Sequence, residues 1–216
     1  MQRFPDYLLA GYRNFMAGRY PDERDRYREL AAEGQHPHTL VIACCDSRAA
    51  PEIIFNSSPG ELFVVRNVAN MVPPYEPDGS YHATSAAVEY ALQVLKVAHV
   101  VVMGHGRCGG IQAALTPDLD PLSDGDFIGK WMGLLKPAAA QIQNSSLLTA
   151  AERQRALERV SIRNSIDNLR SFPFVKALEK SGALDIHGAW FDISTGELWV
   201  MDGGTGDFIR PSLDLA

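Results

Sequence analysis

The chain has 216 residues, 46% of them apolar and 21% charged, with a formal net charge of −6. That length supports one substantial core and is short for two ordinary domains, and the acidic balance excludes the clustered basic face of a nucleic-acid binder. No apolar run reaches the roughly 20 residues of a membrane span, and the first residues lack the hydrophobic segment of a secretion signal, so a cytoplasmic location is expected.

In chain order, residues Asp6 to Met16 set Leu8, Tyr12 and Phe15 or Met16 at helical spacing. Pro21-Asp22-Glu23 opens a second helix running to Ala32, with its acids where the macrodipole favours them. These two helices read as a surface pair, or as an arm packing on a neighbour. Leu40 to Ala43 is an unbroken apolar run and reads as a buried strand. A short helix follows over residues 49–55. Glu61 to Asn67 is a second strand, expected to be covered on both faces because its apolar run is continuous.

Met71 to Gly79 holds three prolines and reads as a loop. Ser80 to Lys96 is one helix by its three- and four-residue apolar recurrence. Val100 to Met103 is a third strand, and Gly109 to Leu115 a helix after it. Thr116 to Gly125 is loop; Lys130 to Gln143, Thr149 to Arg170 and Val175 to Lys180 are helices, the last ended by Gly182. Residues 189–193 and 197–201 form a hairpin around Ser194-Thr195-Gly196. Alternating strands and helices predict an α/β fold with a parallel sheet, chemistry gathering at the carboxyl ends of its strands.

Both candidate reactive stretches lie at such ends. The first strand runs into Cys44-Cys45-Asp46-Ser47-Arg48, and the third into Gly104-His105-Gly106-Arg107-Cys108-Gly109-Gly110. Three cysteines, two of them adjacent, suit free thiols or metal ligands better than disulfides. Cys44, His105 and Cys108 offer two thiolates and an imidazole, the donors zinc takes, and three protein ligands leave an open position for catalysis. Asp46 is a fourth candidate, closing the site or standing beside it. Arg48 is spaced to hold that carboxylate in a bidentate pair and so to switch the site between open and blocked. Cys45 reads as a buried apolar side chain facing away from Cys44. His36, His38, His82, His99 and His187 read as surface or structural histidines.

With its spacing, the pair Cys44-Cys45-Asp46-Ser47-Arg48 and His105-Gly106-Arg107-Cys108-Gly109-Gly110 resembles the beta class of carbonic anhydrases, from about Gly34 to Leu115 and more faintly in the hairpin. The resemblance implies a mainly parallel four-stranded sheet flanked by helices, in one domain over 1–216: an N-terminal helical arm (1–33), a zinc-site core (34–115), and a helical region with a C-terminal β-hairpin (116–216). It implies one zinc ion per chain on Cys44, His105 and Cys108, zinc-bound hydroxide attacking carbon dioxide to give bicarbonate and a proton, and an Asp46–Arg48 dyad that orients the hydroxide. It also implies a homodimer or a dimer of dimers, with the arm reaching to a partner chain.

By position, Gln35 and the Gly109 N–H match groups that orient substrate, and Phe63, Val68 and Tyr90 match an apolar pocket at the dimer interface. Val41 stands where members with an inhibitory bicarbonate site carry tryptophan, so the constantly open, plant-type site is expected, although Arg66 matches a basic residue of the inhibitory site. Val94 stands where some members carry a histidine proton carrier. Two other readings use the same ligands: a zinc hydrolase of carbon disulfide or carbonyl sulfide, and a non-catalytic zinc protein closed by Asp46.

Overall fold

The computed structural model describes residues 4–78, 82–116 and 120–212. Among these, six strands form one sheet in the order β2-β1-β3-β4-β5-β6. The strands β1 (Thr39–Cys44), β2 (Leu62–Asn67), β3 (His99–His105) and β4 (Asp185–Asp192) are mutually parallel. Two antiparallel strands, β5 (Glu197–Met201) and β6 (Phe208–Ile209), extend the sheet. The expected parallel four-strand core is present, and the expected hairpin is its continuation: β4 starts at Asp185, before the predicted residue 189, because its first residues pair with β3.

β1 lies between β2 and β3, and Leu40 to Ala43 are fully buried. Leu40 and Ile42 enter the main core with Val100, Val102, Ile162, Ile166 and Trp190, while Val41 and Ala43 pack on the other face with Met103 and Ala189. A central parallel strand needs apolar residues on both faces, hence its unbroken run. β2 departs from expectation. It is the edge strand, and all six of its residues are only half-buried; a continuous apolar run reports faces and cannot tell a central strand from an edge.

The helix α8 (Ala150–Leu169) spans the main core. Thr149 caps it reciprocally with Glu152: Thr149 Oγ1 accepts from the Glu152 N–H at 3.3 Å, and Glu152 Oε2 accepts from the Thr149 N–H at 2.8 Å. Glycine sets how closely this helix meets the sheet, because a Cβ at Gly104 would stand 2.9 Å from Ile162 Cδ1.

Two predicted helices are interrupted. The one predicted over 80–96 appears as α4 (Ala83–Glu89) continued by a π-helical turn, Tyr90–Val94, in which the Leu95 N–H donates to the Tyr90 carbonyl at 3.0 Å; its predicted first residues, 80–81, lie outside the described residues, as do Gly79 of the proline loop and 117–119 of the next loop. The one predicted over 130–143 is α6 (Phe127–Met132), a 3-10 turn (Gly133–Leu135) and α7 (Lys136–Gln143). Pro137 at the start of α7 has no N–H to continue a helix from α6. The helix expected over 49–55 shortens to α3 (Pro51–Ile54), α5 (Gly109–Ala114) lies within one residue of its predicted span, and α9 (Pro173–Ser181) begins two residues before the predicted Val175.

The first two helices, α1 (Asp6–Ala17) and α2 (Arg19–Glu33), bury no residue at all. Aromatic contacts among Tyr12, Phe15, Tyr20 and Tyr27 join them, and Leu30 seats α2 against Gly60. Tyr7, Leu8, Leu9, Tyr12 and Met16 stay exposed. Each such side chain left in water forgoes about 2 kcal/mol of burial. The two helices thus lie on the surface, with this apolar face uncovered within the chain.

Candidate metal centre

The carboxyl ends of β1 and β3 converge. Cys44 ends β1, His105 ends β3, and Cys108 follows a turn in which Arg107 adopts a left-handed φ of 57°. All three side chains are buried and gather into one cluster of potential ligands. The two sulfurs are 3.9 Å apart, against the about 3.8 Å that two thiolates span on a tetrahedral zinc with bonds near 2.3 Å.

His105 Nδ1 stands 2.9 Å from the Gly106 carbonyl, and its Nε2 is buried without a hydrogen-bond partner among the described residues. With the proton on Nδ1, donated to that carbonyl, the Nε2 lone pair faces the sulfurs, the tautomer a metal ligand needs. An orphaned buried nitrogen is costly unless something else satisfies it. The donor set therefore fits a zinc ion.

The cluster's charges favour a cation, which here is the proton. The thiols share a proton: the hydrogen bond from Cys108 pulls Cys44 well down, and the same bond pushes Cys108 up. Burial opposes a charge on His105, but the neighbouring Cys44 sulfur outweighs it and raises the imidazole. The Ala69 N–H also points at Cys44 Sγ, at 3.4 Å. Ala69 is fully buried with φ at +63°, a conformation costing an alanine about 1 kcal/mol.

Asp46 and Arg48 form the expected bidentate pair. Arg48 Nε donates to Oδ1 at 2.9 Å and Nη2 to Oδ2 at 2.7 Å, and the Arg48 backbone N–H adds a third bond at 3.0 Å. These hydrogen bonds from Arg48 hold the Asp46 carboxyl well below the usual range. Asp46 Oδ2 lies 3.8 Å from His105 Nε2, beside the cluster with both oxygens engaged. Arg48→Ala removes the main cause of the depression, so Asp46 will take up its proton at higher pH. The Asp46 carboxyl is expected to titrate at higher pH in that variant than in the parent; an unmoved carboxyl signal in a carbon-13 NMR pH series would contradict this.

The other predicted residues divide. Val68 follows β2 next to the cluster and is exposed, and an added Cβ at Gly109 would meet nothing within 4 Å. Phe63 and Tyr90 stack at 5.9 Å, but Phe63 pairs with Leu40, about 13 Å along the strand from Cys44. Gln35 is exposed and precedes β1, at the sheet end opposite the cluster. Within one chain these three are not brought to the metal centre. Cys45 faces away from Cys44 as predicted but is exposed, not buried, because the chain has left the sheet there. Val41 is fully buried. Arg66 braces the site loop, donating to the carbonyls of Cys44 at 2.8 Å and Asp46 at 2.7 Å.

A supporting layer on α8 was not foreseen. Glu158, Ser161, Ser165 and Asn168, spaced three, four and three, form one polar stripe facing inward. Glu158 accepts from the Cys108 N–H and from Trp190 Nε1, both at 3.1 Å. Ser161 donates to the Ala69 carbonyl, Ser165 to that of Asn70 and Asn168 to that of Val72. The signal was there as a helical period of polar residues; it reads by default as a solvent face.

Comparison with known proteins agrees with this geometry. The chain matches the family described as carbonic anhydrase over residues 39–198. It is 36% identical over 187 residues to beta carbonic anhydrase 5, chloroplastic, of Arabidopsis thaliana, covering 85% of this chain and 61% of that relative. It is also 36% identical over 203 residues to a carbonic anhydrase of Pseudomonas aeruginosa, covering 94% of this chain and 90% of that one. It thus spans less than two thirds of the plant relative but most of the bacterial one. The solved beta-carbonic anhydrase CcaA aligns with a TM-score of 0.88 at 30% identity, covering 97% of this chain and 93% of that one. The matched span runs from the first residue of β1 into β5 and encloses the whole ligand cluster, and the chain belongs to the beta-carbonic anhydrase family.

Proposed function

We propose that this protein holds one zinc ion per chain on Cys44, His105 and Cys108 and interconverts carbon dioxide and bicarbonate. The observation that carries the reading is the orphaned His105 Nε2 beside two sulfurs 3.9 Å apart, next to a carboxylate fully engaged by Arg48. When bound, the ion supplies a nucleophile from water, and two thiolates cancelling its formal charge make activity rise toward alkaline pH.

The chain's own residues do the rest. Asp46, held ionised and in one rotamer by Arg48, accepts a hydrogen bond from the reacting water and aims its lone pair. The Gly109 N–H donates to a substrate oxygen, and Val68 walls the approach. Gln35, Phe63 and Tyr90 contribute from a second copy: this chain leaves them remote from its own cluster, and the bare apolar face of α1 needs a surface to cover it. The working unit is a homodimer or a dimer of such dimers. Closure of the ion by Asp46 is disfavoured because Arg48 occupies both carboxylate oxygens.

Stopped-flow carbon dioxide hydration by the zinc-loaded protein tests the reading, with carbon disulfide and carbonyl sulfide assayed in parallel. Asp46→Asn is expected to lower kcat about 10²-fold while zinc stays at one per chain. An unchanged rate in that variant removes Asp46 from the mechanism. Stoichiometric zinc with no hydration above buffer, or turnover confined to the sulfur substrates, removes the function itself.

A further inference from the structure

At the opposite end of the sheet, the register of β3 and β4 assembles a second group of ligand-type side chains. His99 pairs with Asp185, and Val101 with His187. Register partners share a face, and so do residues two apart on one strand, so His99, Asp185 and His187 all project from the same side of the sheet. His99 Nδ1 and His187 Nε2 are 3.4 Å apart, and His99 Nδ1 is 3.8 Å from Asp185 Oδ2. The three candidate donor atoms fall within 4.8 Å of one another.

The backbone beneath them is fixed. The Ala98 and His99 N–H groups both donate to the His38 carbonyl, and the Asp185 N–H donates to the Ala98 carbonyl at 3.0 Å. Side chains on paired strands are better held than side chains on loops. His99 and Asp185 keep 44% and 71% of their side-chain surface, which leaves the group open to an ion arriving from solvent.

We infer that His99, His187 and Asp185 form a second, exchangeable site for a divalent transition-metal ion of the zinc and cobalt kind. Distance selects the class. Two imidazole nitrogens on a tetrahedral zinc span about 3.3 Å, whereas a cis pair on an octahedral ion with similar bonds spans about 3.0 Å. The 3.4 Å between the two ring nitrogens, a hydrogen-bond contact as it stands, is compatible with the tetrahedral edge once the shared proton leaves, and the exposed Asp185 carboxylate would move in toward both nitrogens. Two imidazoles and one carboxylate are borderline donors suited to zinc or cobalt, and too few oxygens for calcium or magnesium. The sequence does not show the group, because His99 and His187 lie 88 positions apart and meet through strand pairing.

The test uses the full chain with its thiolate site already filled by zinc. Equilibrium dialysis against cobalt(II), with both metals counted by mass spectrometry, is expected to give one zinc plus one cobalt per chain. The cobalt spectrum should show visible bands without the near-ultraviolet sulfur charge-transfer band that displacement at Cys44 and Cys108 would produce. His187→Gln and His99→Gln, both of partly exposed side chains, should each weaken the cobalt affinity at least about tenfold and leave the zinc count unchanged. Cobalt uptake that stays at zero, that carries the sulfur band, or that is unchanged in the His99→Gln/His187→Gln double variant overturns the inference.

Discussion

His105→Ala is expected to empty the metal centre and lower carbon dioxide hydration about a thousandfold. Zinc bound to protein ligands is held by about 10 to 16 kcal/mol in small zinc domains, so losing one ligand of this set removes about 4 kcal/mol, close to 10³ in affinity. The fold should survive, because among the described residues the His105 side chain makes one hydrogen bond, to the neighbouring Gly106 carbonyl, and its Nε2 makes none. Zinc content after dialysis against a chelator buffer, read beside circular dichroism, checks both halves. Full zinc retention in a folded His105→Ala protein would show that the imidazole is not a ligand.

That the cluster of Cys44, His105 and Cys108 was legible in the sequence follows from where they stand. Each terminates or immediately follows an apolar run that reads as a buried strand, and parallel sheets put such ends side by side. The Asp46–Arg48 pair was legible for the same reason, since a two-residue spacing past a strand end constrains both side chains. Other features depend on register or on surfaces the chain does not cover. The edge position of β2, the split of the helix predicted over 130–143 at Gly133 and Pro137, and the π-helical turn at Tyr90 all leave the apolar pattern almost unaltered. Gln35 and Phe63 matched motif positions, yet the fold puts them at the far end of β1 and β2, so their bearing on the site is a matter of assembly. The His99–Asp185–His187 group was invisible as sequence because strand pairing alone creates it.

Glu158 is the residue whose loss should disturb the site most without touching a ligand atom. It is 3% exposed, and its two oxygens satisfy the buried N–H groups of Cys108 and Trp190. Glu158→Ala strands both donors at about 1 to 3 kcal/mol each, together about 4 kcal/mol, which for a chain of this size lowers Tm by roughly 10 °C. Glu158→Gln keeps one acceptor and should recover about half of that loss. Burial is the main influence on this carboxyl and pushes it up, against the pull of the Cys108 and Trp190 hydrogen bonds. A folded-state pKa above the unfolded one means the native state binds the extra proton, so the stabilisation from that proton is complete below the unfolded value and fades as pH rises through the folded one. The stability of the wild type relative to Glu158→Gln should therefore fall from acid toward neutral pH. Thermal denaturation across that range decides the matter: a wild-type margin that grows with pH would mean that the hydrogen bonds from Cys108 and Trp190 outweigh burial, and a Glu158→Ala protein as stable as the parent would mean that the carboxylate does not bear the Cys108 turn.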